Sequence, residues 1–211
     1  MVLATIALPA SAQIGLSLSP TSLQTISVGG TVTYNLNISG LNGSADIPSG
    51  PALGAFAVQL DYDPAIVSVS LQSVSYGTNL NLSGISDNSW TDLSVPGQIW
   101  LSNTSSDSAT TLETLQPSSF TLATIKLTGL ALTTTPMTLT IDANLANPAQ
   151  SISSLSDEYA HTLDLVNVTN ASLAVIPEPS VTASLLGAAA MGFCMLRRRF
   201  SRGAIVVARG V

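Results

Sequence analysis

The side chains able to do chemistry are few and scattered. The chain has one histidine, His161, inside Asp157-Glu158-Tyr159-Ala160-His161, and one cysteine, Cys194. Nucleophilic hydrolysis needs a nucleophile, a base and an orienting group, and no serine sits in a Gly-x-Ser-x-Gly elbow. A single His and a single Cys cannot make a zinc site, and no glycine-rich phosphate loop occurs. Paired carboxylates alone can cleave glycosides, so the acids bear separately on function. Asp61 and Asp63 share a strand face by the period of two, but they flank a turn before Pro64. They read as turn-capping aspartates, with a weak calcium site as the alternative because oxygen-rich loops suit that ion. The segment Asp87-Asn88-Ser89-Trp90-Thr91-Asp92 places a tryptophan among short polar groups. Asp87, Trp90 and Asp92 are therefore candidate ligand contacts, for a sugar or a protein partner, on a loop. Trp100 lies on the Gln98 and Ser102 side of its strand, either on a second buried face or partly exposed. These residues point away from an enzyme and from any cofactor, and towards binding.

Charge separates two objects in one chain. Charged residues are 9% of 211, with a net charge of -6. Five of the six Lys and Arg are Arg197, Arg198, Arg199, Arg202 and Arg209, which leaves Lys126 alone in an acidic body. Nucleic acid is excluded as a partner, since phosphate binding needs clustered basic residues. With one cysteine, no intramolecular disulfide can form, and packing must hold the body.

Both ends read as processing segments. An apolar start leads to Ala10-Ser11-Ala12-Gln13, an A-x-A site that predicts cleavage between Ala12 and Gln13 and makes residues 1–12 part of a signal peptide. At the other end, Pro177-Glu178-Pro179 precedes an uncharged run, Val181 to Leu196, and then Arg197-Arg198-Arg199. Sixteen residues of helix would be about 24 Å long, short against a hydrocarbon core of about 30 Å, but snorkelling arginines and local thinning cover the difference. The arginines act as a topology signal, which keeps them cytoplasmic and places the body outside.

Between residues 14 and 175 the pattern is strand after strand, with no convincing helix. Val32, Tyr34, Leu36 and Ile38 alternate with polar residues, as do Phe56, Val58 and Leu60, then Val67, Val69 and Leu71, then Met137, Leu139 and Ile141. Glycine and proline clusters punctuate these runs, and the spacing predicts a sandwich. Phe56, Val58 and Leu60 should face the core, and Gln59 the solvent.

Two family resemblances follow. The ending resembles the PEP-CTERM sorting signal of Gram-negative bacteria, over Pro177 to Arg199. That resemblance implies recognition of Pro177, Glu178 and Pro179 by an exosortase, a membrane-embedded transpeptidase. It implies an exported protein, membrane-anchored through its C-terminal helix before processing and then at the cell surface or in the extracellular matrix, with exopolysaccharide or biofilm nearby. Residues 200–211 form a basic tail extension that the family pattern lacks. The body, residues 13–175, is similar to the cohesin-like family in four ordered segments: Ser27 to Val32, Gly54 to Val67 with its Tyr62-Asp63-Pro64 turn, Gly97 to Ser102, and Phe120 to Leu127. This implies an all-β jelly-roll sandwich of about nine strands, with a dockerin-like protein or polysaccharide as partner; the sorting-signal resemblance adds one short C-terminal transmembrane helix after it.

Mass spectrometry of the mature protein from its native host should find an N-terminus at Gln13 and a C-terminus before about Val181. Loss of the exosortase should restore the C-terminal segment but leave the N-terminus unchanged. A mature chain that begins at Met1 would exclude the cleavage site.

Overall fold

A computed structural model describes residues 13–41, 51–143 and 153–178, together with Ser184, Gly187, Met191 and Phe193. The chain divides into two units, Met1–Val175 and Ile176–Val211. The first is an all-β sandwich. Its strands are β1 (Ile14–Ser19), β2 (Gln24–Ser27), β3 (Thr31–Ser39), β4 (Leu53–Asp61), β5 (Val67–Ser68), β6 (Val74–Tyr76), β7 (Trp90–Asp92), β8 (Gln98–Thr104), β9 (Phe120–Gly129), β10 (Met137–Ile141), β11 (Ser154–Asp157), β12 (Leu165–Thr169) and β13 (Ala171–Ile176, whose last residue lies in the second unit).

One sheet runs β12-β1-β3-β9-β5, with β6 also on β9; the other runs β2-β13-β10-β4-β8-β7, with β11 also on β4. Alternation decides which side chains meet between them, because successive residues of a strand point to opposite faces. Leu16 and Leu18, then Tyr34, Leu36 and Ile38, are buried from the first sheet. Phe56, Val58 and Leu60, with Ile99 and Leu101 across the β4–β8 ladder, close on them from the second. Tyr34 is a fully buried polar group in this layer. Its hydroxyl donates to the Ser172 carbonyl oxygen at 2.9 Å, and burial pushes its pKa up to about 12.

Among the described residues the thirteen strands exceed the expected nine or so because the long ladders are served by broken neighbours. Along one side of β4, β10 pairs Thr140 with Asp61, and β11 pairs Ser154 to Asp157 with Ala57 to Leu53. β9 likewise takes β5 at Gly129 and Thr128, then β6 from Ile125 to Ala123. The alternation through Val69 and Leu71 therefore does not continue as one strand: residues 71–73 form a 3₁₀ turn and Leu71 is exposed. The chain also switches sheets. β12 lies parallel to β1, and after Asn170 alone it enters β13 in the opposite sheet. The Asn170 side-chain oxygen accepts the Ile141 N–H at 3.0 Å, which pins this corner.

Two other expectations are corrected. A helix is present, α1 (Ala109–Leu115), capped by Ser108, whose side chain accepts the Thr111 N–H. Its threonine-rich sequence has poor intrinsic propensity, and only Leu112 is buried, so no apolar stripe announced it. Gln59 points outwards from the sandwich yet is only 3% exposed. Ser153 and Asp142 close over its backbone, and its amide donates to Asp61 Oδ1 at 2.8 Å.

Among the described residues, no helix is long and apolar enough to cross a membrane. The run from Val181 to Leu196 lies outside them except at Ser184, Gly187, Met191 and Phe193, which are helical and exposed. Ala12, Pro179, Arg197, Arg198 and Arg199 also lie outside the described residues.

Phe56→Ala should cost about 3–5 kcal/mol in chemical denaturation, the usual range for emptying a buried aromatic site. Gln59→Ala should cost less, about 0.5–1.5 kcal/mol, the worth of its side-chain hydrogen bond to Asp61. Equal costs would place the β4 register in error.

Candidate binding face

The outward face of the second sheet follows from the register. Trp90 pairs with Ser102 and Asp92 with Trp100 across β7 and β8; Gln59 and Ala57 of β4 oppose Trp100 and Ser102; Ser154 and Ser156 of β11 oppose Ala57 and Ala55. Paired residues point the same way, so both tryptophans, two alanines and a set of short hydroxyl groups share one surface. Trp90 is 56% exposed and Trp100 half-buried. Beside them the small side chains Ala55 and Ala57 leave a depression of about 270 Å³, walled by Ser102, Thr104, Ser154 and Ser156. Gly54, the second residue of this strand, has no room for a side chain: a Cβ there would lie 2.2 Å from the Asp157 carbonyl oxygen.

Trp90 is in a three-residue edge strand, not in a loop as the sequence suggested. Its position comes from the other sheet. The Tyr76 hydroxyl of β6 donates to the Trp90 carbonyl oxygen at 2.5 Å and lies 2.7 Å from Thr91 Oγ1. The preceding loop is tied to the end of β8: Asn88 donates to the Thr104 carbonyl oxygen and to Ser106 Oγ. Asp107 takes the Leu82 N–H at 2.6 Å and the Ser83 N–H at 3.0 Å, and also holds the Ser83 hydroxyl. Desolvation acts to raise the Asp107 pKa, but these hydrogen bonds outweigh it and hold the carboxyl below its ordinary range. Gln116 adds a buried clamp, with its amide accepting the Leu53 N–H and donating to the Leu53 and Asn79 carbonyl oxygens. Tyr76, Asp107 and Gln116 carry no local motif, so the sequence did not single them out.

The other candidates are engaged with backbone. Asp87 Oδ1 accepts the Ser89 N–H, Asp92 Oδ1 the Ser94 N–H, and Asp63 Oδ1 the Ala65 N–H, all two residues on. Asp61 holds Gln59. Among the described residues no group of three or more His, Cys, Asp or Glu side chains could hold a metal ion. His161 closes its own turn: its backbone N–H and Nδ1 both meet the Asp157 carboxyl, at 2.7 and 3.0 Å. Desolvation acts to raise the Asp157 pKa, but hydrogen bonds from His161 and Tyr159 bring it below the ordinary value. The fold also brings Glu113 and Glu158 together. Burial, assisted by a hydrogen bond with Glu113, raises the Glu158 pKa, and Tyr159 donates to Glu113 at 3.0 Å. Gln13 is exposed at the start of the described chain, and Pro177 and Glu178 are exposed just after β13.

Several solved structures share this architecture. A cohesin of Clostridium acetobutylicum, CaCohA2, is 21% identical, with a TM-score of 0.55 over 78% of this chain and 92% of that one. A cohesin–dockerin complex from Clostridium thermocellum matches at 8% identity and a TM-score of 0.56, over 78% and 99%. The cohesin module of a Clostridium perfringens family 33 glycoside hydrolase matches at 12% and 0.54, over 80% and 98%. No protein-family model matches the chain, and no curated protein does. The body therefore has the fold of a cohesin-like β-sandwich.

A carboxyl with a depressed pKa stabilises the fold fully above its unfolded pKa, and that stabilisation is lost as the pH falls through the folded value. Asp107→Asn should lower the Tm at neutral pH and flatten part of the acid-side decline. An unchanged Tm against pH would show that Asp107 does not tether the loop.

Proposed function

We propose that the body is a non-catalytic protein-binding module, and that its partner, a dockerin-like protein, docks on the outward face of β7, β8, β4 and β11. The observation that carries this reading is the pairing of Trp90 and Trp100 with the alanine depression. Exposed aromatic side chains beside a small hollow are what a protein partner can desolvate and fill, and such anchors dominate interface energies. The first sheet offers no equivalent. Its outward side chains bond to each other, Asn37 to Ser19 and Thr121, and Asn35 to Thr124. The body's single basic residue, Lys126, is on that first sheet, whereas Asp61 and Asp92 border the tryptophan face. A partner with basic residues around an aliphatic anchor fits this charge. The likeness to cohesins, one of them solved with its dockerin, supports the same reading.

Sorting is the second part of the proposal. The first unit ends at Val175 and the Pro-Glu-Pro sequence starts two residues later, with Pro177 and Glu178 exposed. A peptidase could reach this segment without opening the sandwich. In this reading Val181 to Leu196 anchors the exported chain until an exosortase cuts it.

Surface plasmon resonance of the full chain against dockerin modules and against neutral polysaccharides would test the binding role. Binding to a dockerin is expected, and Trp90→Ala or Trp100→Ala should each weaken it by about 30-fold, the effect of losing a hot spot worth about 2 kcal/mol. Binding to polysaccharide alone, or undiminished binding by both variants, would overturn the assignment.

A further inference from the structure

We propose that the hollow beside Trp90 is also a carbohydrate site, which takes one uncharged sugar ring of a glycan. This goes beyond the protein partner and does not rest on it: the two ligands use one face, and each can bind without the other.

The register lays out the site. Ser102 and Thr104 of β8 stand on one side, Ser154 and Ser156 of β11 on the other, and Ala57 and Ala55 of β4 lie between them as a floor. Thr162, bridged to Ser156, adds a fifth hydroxyl to the wall. Hydroxyls that face each other across the floor are two strand spacings apart, about 9.6 Å, and neighbours along one strand are about 6.7 Å apart. A serine or threonine side chain is too short to bridge either gap. Among the described residues none of the five hydroxyls therefore has a hydrogen-bond partner in the protein. The first sheet has the opposite arrangement. Its asparagines are long enough to span neighbouring strands, so Asn37 bonds to Ser19 and Thr121, and Asn35 to Thr124. One polar face is satisfied within itself, and the other offers its donors and acceptors to whatever enters the hollow.

A sugar ring matches these features together. Its hydroxyls radiate from a disc that can lie on the two alanines, so each reaches a different wall. Each one both donates and accepts, as serine and threonine hydroxyls do, and takes over the bonds those groups make to water. The volume of about 270 Å³ falls just below the range of about 300–1,000 Å³ for sites of larger ligands, which suits one ring. The ligand is uncharged because no lining side chain is ionisable. The Asp157 carboxyl, next in sequence to Ser156, is taken up by Tyr159 and His161. Trp90 completes the site. It pairs with Ser102 across β7 and β8, is 56% exposed, and is held in place by the Tyr76 hydroxyl. The C–H groups of a sugar ring make one of its faces apolar, and a fixed indole offers that face a flat apolar surface.

The test titrates the full chain, in a detergent without sugar groups, with cellohexaose, mannohexaose and chitohexaose, and with hexagalacturonate as the charged counterpart. Trp100→Phe leaves Trp90 as the one tryptophan, so its emission reports on the hollow. At least one neutral hexasaccharide should shift that emission with a Kd in the millimolar range, as befits a ligand held through one small ring. Hexagalacturonate should leave it unchanged. Ala57→Leu fills the floor, and Ser102→Val with Ser154→Val removes facing hydroxyls while keeping the hollow open. Each change should weaken binding by at least about tenfold, with circular dichroism as the check on folding. Thr33→Leu, on the outward face of the first sheet, should have no effect. No emission shift with any neutral hexasaccharide up to about 50 mM, equal binding of hexagalacturonate, or binding untouched by the Ala57 and serine variants would each overturn the proposal. Dockerin binding measured on the same preparation decides the protein-partner reading by itself, so either can fail alone.

Discussion

Everything in the body depends on keeping β4 hydrogen-bonded along both edges while one face of it is buried. The chain has no paired cysteines, and among the described residues the one ion pair is His161 with Asp157. Packing of two apolar sheet faces must therefore offset the conformational entropy of the chain. β8 covers one edge of β4 from Ala55 to Asp61. The other edge needs two strands, β10 and β11, and the backbone between them is completed by Asp142 and Ser153 around Gln59. A buried N–H or carbonyl without a partner costs as much as a lost hydrogen bond. That cost explains why an outward-pointing glutamine is buried and why Gln116 reaches from the end of α1 to serve Leu53.

The same constraint shapes the surface. Because β4 is central, its outward residues can be small, and Ala55 and Ala57 leave a hollow where longer side chains would fill it. The tryptophans sit on the neighbouring strands, one on β8 and one on the edge strand β7. An edge strand of three residues has few ladder bonds of its own. Tyr76 from the opposite sheet, with Asp107 and Asn88 holding the loop before it, supplies the rigidity that a binding surface requires.

The two ends of the sandwich are chemically unlike, and the difference follows from where the charges fall in the sequence. Acids cluster where α1 meets the loop after β11, whereas the turns that follow β2 and β9 are apolar and neutral.

Period-two alternation was enough to place the core residues of β3, β4 and β10, because a half-buried strand writes its burial into every second residue. The Tyr62-Asp63-Pro64 turn was legible for the same local reason, since aspartate and proline set turn geometry by themselves. The sequence also named Trp90 and Trp100. It could not tell that they share a face, because that depends on β7 pairing with β8 in one register. Gln59 was misjudged because alternation reports direction and not cover, and its cover comes from residues about 90 positions away. Helix α1 was missed because one buried leucine makes no periodic signal. Local chemistry thus determined strands, turns, charge distribution and the absence of a disulfide. Tertiary pairing alone decided which surface carries the hollow, which carboxyls meet, and at which end of the sandwich Asp107, Glu113, Asp157 and Glu158 gather, because each of these requires contact between segments far apart in the chain.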